Sequence, residues 1–460
     1  MSESEKKEQS AEVKENKMGV VPVKKLIISM SLPMMISLLV QALYNVVDSV
    51  FVAQVSKDAL AAVTYAFPLQ TLMIAVGSGI GVGINALLSR SLGEKRYDRV
   101  NAAANNGIFI TIISTLVFVL VGLFAAEAFI RSQVSDPVIV DYGTTYLKLC
   151  NSLSVGLFFQ MTFERLLQST GLTIFSMVSQ GTGAIINIIF DPILIFGYFG
   201  FPRLEVAGAA LATVLGQCVA ACLGLILNIR FNKEIKLSLK GVFSPEGAVI
   251  KQIFIVGVPS ILMMSIGSVM TYMMNKILST FSNMATTVFG AYFKLQSFFF
   301  MPVFGLNNGI IPVLAYNYGA RKKERIREAL RFAIFLAVSI MLIGTLCFQL
   351  IPKQLLGFFN PDDEMLQIGV PAFRIICLSF PLAGTCIAMG SVFQAFSKSM
   401  YSLIISIGRQ LVVLIPAAWL LSKTGVITNV WWAFPIAEGA SLVMSSFFFK
   451  KIHRQIIDNL

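Results

Sequence analysis

The stretch Leu92-Gly-Glu-Lys-Arg-Tyr-Asp-Arg-Val100 returns later in the chain as Tyr318-Gly-Ala-Arg-Lys-Lys-Glu-Arg-Ile326. Gly93 and Gly319 are separated by 226 residues (319 − 93). The same offset, without a gap, relates further pairs: Pro33 and Pro259, Gly79 and Gly305, Gly83 and Gly309, and Gln168 and Gln394. One half of the chain is therefore a copy of the other.

The composition indicates a membrane protein. The 460 residues are 56% hydrophobic and only 13% charged, with a mean hydropathy of +0.77. This is too apolar for a water-soluble fold of this length, and apolar stretches long enough to cross a bilayer recur throughout. An outer-membrane barrel would need alternating polar positions, whereas residues 108–120 are apolar on every side.

We therefore predict an all-α membrane protein with twelve transmembrane helices. The predicted spans are 26–52, 59–87, 102–126, 138–163, 172–198, 206–229, 252–280, 285–315, 330–351, 366–395, 401–421 and 428–449.

An even number of spans in each half gives both halves the same orientation. The two six-helix lobes are then parallel repeats, related by a pseudo-two-fold axis along the membrane normal, with a cleft between them. The predicted boundaries are a disordered cytoplasmic tail over 1–24, an N-lobe over 25–229, a cytoplasmic linker over 230–250, a C-lobe over 251–450 and a cytoplasmic tail over 451–460.

The net charge of +12 comes from 36 Lys and Arg residues against 24 Asp and Glu residues. The distribution of the lysines and arginines among the loops indicates how the chain is oriented in the membrane. Most of these residues lie in alternate loops of the twelve-span arrangement, which we call the basic face: Lys24, Lys25, Arg90, Lys95, Arg96, Arg99, Arg230, Lys233, Lys236, Lys240, Arg321 to Arg331, Lys450, Lys451 and Arg454. The positive-inside rule makes this face cytoplasmic, with both termini inside. We expect a multi-pass protein of the bacterial inner membrane that contacts lipid and binds no nucleic acid. Residues 1–20 lack the apolar region of a signal peptide, so we expect no cleavable signal peptide.

Four polar residues of the first half stand out within the predicted spans. A carboxylate near the bilayer centre costs about 2.5 to 3.5 kcal/mol on insertion scales, so acids there usually serve a purpose. Asp48 and Asp191 lie near the outer ends of spans 1 and 5, Asn187 precedes Asp191 by one helical turn, and Thr213 lies at similar depth in span 6. Their oxygens are a candidate site for Na⁺ or a proton, although hydrogen bonding within the bundle is the alternative.

Further residues are candidates for a substrate cavity. Gln41, Tyr44 and Asn45 share the polar face of span 1 with Asp48. The offset maps Asp48, Asn187 and Asp191 onto Met274, Val413 and Ala417, so the second half lacks the acidic site. It offers instead Asn275 and Lys294, together with Arg374, Arg409 and Glu438. An Arg409–Glu438 ion pair is the favoured structural role for two of these.

Enzyme chemistry finds little support in the sequence. There is no phosphate-binding loop, and the single histidine, His453, lies in the terminal tail. The six cysteines show no metal-type spacing and are interpreted as packing residues. We expect a transporter rather than an enzyme, with no cofactor.

Several stretches resemble the bacterial branch of the multidrug and toxic compound extrusion (MATE) family. They are Leu32-Pro33, Tyr44-Asn-Val-Val-Asp48, Ser89-Arg-Ser-Leu-Gly93, Asn187-Ile-Ile-Phe-Asp191-Pro192 and Pro312-Val-Leu-Ala-Tyr-Asn317-Tyr-Gly-Ala320. The resemblance implies a two-lobed, twelve-helix antiporter that exchanges Na⁺ or H⁺ for organic, often cationic, compounds. The cation-site residues of the family carry over to Asp48, Asn187, Asp191 and Thr213. Acids that some members use in spans 7 and 10 are missing here.

The resulting expectation is a cation-coupled exporter of organic cations that alternates access between the two membrane faces and functions as a monomer. A lipid-linked oligosaccharide flippase of similar architecture is the alternative, for which Lys294, Arg374 and Arg409 could contact pyrophosphate. A membrane-embedded enzyme is a third possibility, but it lacks a catalytic constellation.

Overall fold

The computed structural model describes residues 15–359 and 361–460. Within these ranges the chain is helical and contains no strand, in agreement with the predicted fold class. Eleven of the described helices are long and apolar enough to cross a membrane. Large apolar side chains such as Phe124, Leu350 and Val443 are exposed on the outside of the bundle, as expected where a helix contacts lipid.

The principal helices are numbered in chain order. They are α1 (Val23–Val55), α2 (Lys57–Gly93), α3 (Tyr97–Phe124), α4 (Pro137–Ser152 and Val155–Ser169), α5 (Thr173–Phe196), α6 (Val206–Phe231), α7 (Gly247–Leu278), α8 (Asn283–Gly319), α9 (Lys323–Leu350), α10 (Asp363–Ala395), α11 (Ser399–Ser422) and α12 (Ile427–Asn459).

The fourth helix differs from a single continuous span. Its first segment begins at an N-cap, where the Asp136 side chain accepts hydrogen bonds from the amides of Val138 and Ile139. At the break, Ser154 N–H donates to the Asn151 carbonyl at 3.1 Å, three residues back. Such a tight turn interrupts the α-helical hydrogen-bond pattern. The two segments together cover the predicted span 138–163.

The two halves contact each other through equivalent helices. Helix α2 packs along α7, and its repeat partner α8 packs along α1. A Cβ atom added at Gly79 would lie 2.8 Å from the Gly257 carbonyl oxygen, and one added at Gly305 would lie 2.5 Å from the Met35 Cα. The repeated glycines therefore allow close approach of helices from opposite lobes.

The same relation holds one turn further along these helices. A Cβ at Gly83 would collide with the Ile253 carbonyl, and one at Gly309 would lie 2.6 Å from the Ser31 Cα. Because both pairs follow the 226-residue offset, the contact between the lobes is itself repeated. Packing, rather than unwinding of α2, accounts for these glycines.

Described parts of both predicted tails and of the linker are helical. Residues 1–14 lie outside the described part, but Lys17–Val20 form a helical turn and Met18 is fully buried. Disorder therefore does not extend over this part of the predicted tail. At the other end, the last regular α-helical segment of α12 runs from Ala433 to Gln455, beyond residue 450. The linker contains a short helix, Leu239–Val242.

Candidate functional site

The four predicted cation-site residues lie on three helices of the first half. On α5, Asn187 and Asp191 are one turn apart, and the Asn187 side-chain nitrogen donates to Asp191 Oδ1 at 3.3 Å. The same nitrogen lies 3.2 Å from Thr213 Oγ1 on α6. Asp48 lies on α1, which packs along α5, and its Oδ1 is buried. The structure thus brings Asn187, Asp191 and Thr213 into contact and places Asp48 on the helix beside them.

Small residues make this arrangement possible. A Cβ added at Gly216 on α6 would lie 2.5 Å from the Gly183 carbonyl oxygen on α5 and 3.3 Å from the Asn187 Cβ. The backbones of α5 and α6 are therefore in close contact just beside Asn187 and Thr213. This close approach allows the short Thr213 side chain to reach the amide on the neighbouring helix.

Three buried oxygen atoms at this site have no hydrogen-bond partner. They are Asp48 Oδ1, Asn187 Oδ1 and Asp191 Oδ2. Asp191 is completely buried. A buried polar atom left unpaired costs about 1 to 3 kcal/mol, so three of them in one place call for a ligand or a proton.

The donor set consists of oxygen atoms only. Among the described residues, no group of three or more His, Cys, Asp and Glu side chains could hold a metal ion. Two carboxylates together with an amide and a hydroxyl instead suit Na⁺, or a proton shared with a carboxylate. The geometry is compatible with either of them.

A cavity of about 230 Å³ lies beside this site. Its polar lining includes Ser37, Gln41, Tyr44, Ser78, Gln160, Glu164, Arg165, Gln168, Gln180, Asn187, Thr213, Gln217 and Asn308. Asn187 and Thr213 belong both to the cation site and to the cavity wall, so the two are contiguous. Of the three candidates from span 1, Gln41 and Tyr44 line this cavity, whereas Asn45 is exposed and does not line it.

The charged residues of the cavity come from α4. Glu164 is buried and accepts a hydrogen bond from Gln160 at 2.9 Å. Arg165 is also buried and donates to Gln168 at 2.9 Å and to Asn308, on α8, at 3.4 Å. Neither residue was predicted from the sequence to lie at the site. Their signal was the spacing of Gln160, Glu164 and Gln168, which places three polar groups on one helical face.

The candidates from the second half lie elsewhere. Asn275 lines a separate, open depression of about 500 Å³ together with Tyr272 and Lys276. Lys294 is exposed, with its ammonium 6.0 Å from the centre of the Phe359 ring. Neither residue lines the cavity described above.

Arg409 and Glu438 form the ion pair favoured from the sequence. Arg409 NH1 lies 2.5 Å from Glu438 Oε1, which joins α11 to α12. Arg374 is exposed on α10. The three cations Lys294, Arg374 and Arg409 do not line the cavity of the first half, so they supply no cationic wall for a pyrophosphate there.

Comparisons with known proteins agree with this architecture. The MatE family model matches residues 33–193 and 259–420, one match for each half of the chain. The chain is 27% identical over 423 residues to the multidrug export protein MepA of Staphylococcus haemolyticus (strain JCSC1435), covering 91% of each protein. It is 26% identical over 420 residues to MepA of Staphylococcus aureus (strain MRSA252), again covering 91% of each.

Solved structures show the same fold. An outward-facing multidrug resistance MATE family transporter of the MOP superfamily superposes with a TM-score of 0.90 at 24% identity, over 97% of this chain and 99% of that one. A MOP superfamily transporter from Pyrococcus furiosus, described as having a binding pocket of reverse polarity, superposes with a TM-score of 0.89 at 24% identity, over 96% and 99%. With the family model matched in both halves, the chain belongs to the MatE family, the multidrug and toxic compound extrusion transporters.

Proposed function

We propose that this protein is an antiporter that exports organic cations in exchange for Na⁺ or H⁺ by alternating access. The observation that carries the proposal is the group of three unpaired, buried oxygens at Asp48, Asn187 and Asp191. Two carboxylates that repel each other gain stability when a cation or proton is placed between them. The site therefore has affinity for a coupling ion.

Coupling follows from the shared wall of the two sites. Asn187 and Thr213 contact each other at the cation site and also line the cavity. An ion bound by Asn187 Oδ1 would reorient its side chain and change the cavity wall. Binding of ion and substrate would then compete, as exchange requires.

The lining of the cavity supports an organic cation as substrate. Glu164 is held by a neutral amide rather than by a cation within ion-pair distance, while two amides hold Arg165. Met34, Met161 and Met264 add flexible apolar surface that adapts to varied ligands. The staphylococcal relatives named above are multidrug export proteins, which is in line with this assignment.

The test is efflux of a cationic dye from proteoliposomes with separately imposed Na⁺ and pH gradients. Wild-type protein should respond to at least one gradient. Asp191→Asn and Asp48→Asn should reduce gradient-driven efflux to the rate of protein-free liposomes, since each removes one charge that binds the coupling ion. Asp141→Asn is the matched control, because Asp141 is an exposed acid on α4 of the same lobe.

Wild-type rates in Asp191→Asn would overturn the cation site. If the efflux rate of the wild-type protein depended on neither gradient, coupling to Na⁺ or H⁺ would be excluded. Transport of a lipid-linked oligosaccharide in place of dye would favour the flippase, although the dispersed second-half cations argue against it.

A further inference from the structure

The repeated loops of the two halves meet on the basic face. A Cβ added at Gly93 would collide with the Tyr316 carbonyl, and one added at Gly319 would collide with the Arg90 carbonyl. The Arg90 guanidinium also lies over the Tyr318 ring, 4.8 Å from its centre. Because the two collisions are related by the 226-residue offset, each loop packs into the other across the pseudo-two-fold axis.

The repeated arginines just after these loops also reach the other half. Arg99, on α3, donates to Gln252 on α7 at 2.9 Å. Its counterpart Arg325, on α9, donates to the carbonyls of Met18 at 3.1 Å and Val21 at 2.7 Å. Each arginine therefore bonds to the start of the opposite lobe: Arg99 to the first helix of the C-lobe, and Arg325 to the residues just before the first helix of the N-lobe.

Residues 15–21, which we call the clasp, contact both lobes at this point. On the N-lobe side, the Asn16 side chain donates to the Thr170 carbonyl and to Glu234, each at 3.1 Å. On the C-lobe side, Lys322 donates to Glu15 and to the Gly19 carbonyl, and Asn317 donates to the Met18 carbonyl at 3.0 Å. The Met18 side chain is completely buried.

The chemistry of these bonds makes the clasp reversible. The carbonyls at the end of a short helix have no partner within the helix. Here side chains of the opposite lobe supply those partners, and water at the membrane surface could replace them. The Lys322 ammonium, hydrogen-bonded to Glu15, lowers the pKa of that carboxyl below its ordinary value of 4.5, so the Glu15 carboxylate remains charged at neutral pH.

We propose that the clasp locks the two lobes together on the basic face and must release before the protein can open on that side. The role in transport rests on the proposed alternating access. The lock itself is a property of this conformation and can be measured without transport.

The experiment is hydrogen–deuterium exchange of the full-length protein in nanodiscs. Arg325→Ala removes the donors to Met18 and Val21 and to the Asn317 side chain. Loss of such charge-assisted bonds should speed amide exchange about tenfold in residues 17–21, in 318–322 and, across the axis, in 92–96. Arg327→Ala is the matched control, since Arg327 bonds to Glu324 and Asp458 instead.

A second variant keeps every charge. In Gly19→Val the added Cβ would lie 2.6 Å from Glu15 Oε1, 2.9 Å from the Tyr316 ring and 3.1 Å from Lys322 Nζ, and the variant should produce the same pattern of faster exchange. Exchange equal to wild type in both variants would overturn the clasp. Faster exchange confined to residues 15–21 would also overturn it, because the segment would then cover the surface without holding the lobes. If the Arg325→Ala variant does not fold, the exchange rates of the Gly19→Val variant alone test the proposal.

Discussion

At the scale of single residues, the two halves differ in the partner that each gives to a buried acid. Asp191 is completely buried, and its carboxylate accepts a hydrogen bond only from the neutral amide of Asn187, so it is unpaired by any cation. Glu438, in the second half, also has one oxygen without a partner, but its other oxygen lies 2.5 Å from the Arg409 guanidinium. Met274, the counterpart of Asp48, is an apolar, fully buried side chain. An unpaired acid can bind an exchangeable ion, whereas a paired acid stabilises the packing of its helices.

This contrast predicts the effect of breaking the pair. Arg409→Met should lower the free energy of unfolding by about 3 kcal/mol, because it leaves the Glu438 charge buried without compensation. The double variant Arg409→Met/Glu438→Met should recover most of that loss. The measurement is thermal unfolding in detergent, with the exposed Arg374→Met as control. Equal melting temperatures in Arg409→Met and the control would contradict a structural role.

At the scale of helices, the repeated glycines decide how closely α2 and α7 approach, since a Cβ added at Gly79 or Gly83 would collide with a backbone carbonyl of α7.

Helix α11 shows that the repeat is not kept at every position, because residues Gly408–Leu414 form π-helical turns. A π turn accommodates an extra residue, so the offset can shift locally in α11. With an offset of 226 or 227, Asp191 corresponds to Ala417 or Ala418, so the second half lacks the acid in either register.

The glycine contact predicts a cost that depends on position. Gly83→Ala should destabilise the protein by about 1 to 3 kcal/mol, because the added methyl group would displace α7 at the Ile253 carbonyl. Gly439→Ala, where an added Cβ would meet no atom within 4 Å, should leave stability unchanged. Thermal unfolding of both variants in the same detergent provides the comparison. A tolerated Gly83→Ala would show that the lobes are less tightly packed along α2.

At the scale of the whole molecule, the candidate cation site and the adjoining cavity are built from different residues than the clasp. The cation site and cavity belong mainly to the first half, and Met264 on α7 and Asn308 on α8 complete the cavity wall. The clasp and the repeated loops join the halves on the basic face. The C-terminal segment lies there as well, since Asp458 pairs with Arg327 at 2.9 Å.

This arrangement predicts the orientation in the membrane. An epitope at the C-terminus should be inaccessible to antibody in intact cells and accessible after permeabilisation, because the positive-inside rule predicts that the basic face is cytoplasmic. An epitope inserted after Pro202, in the exposed loop between α5 and α6, should be accessible in intact cells. Labelling in the reverse pattern would exclude the proposed direction of export.

The sequence by itself determined the helical membrane fold and the duplication, and it supplied the four residues of the proposed cation site. Long apolar runs force the backbone to bond internally, and acids within such runs are costly enough to be informative. It did not reveal the break in α4, the entry of Glu164 into the cavity or the separation of Asn275 and Lys294 from it. It also missed the clasp, because Met18 and Arg325 meet only when the lobes pack together. Such contacts depend on how distant helices are placed, which local hydrophobic patterns do not encode.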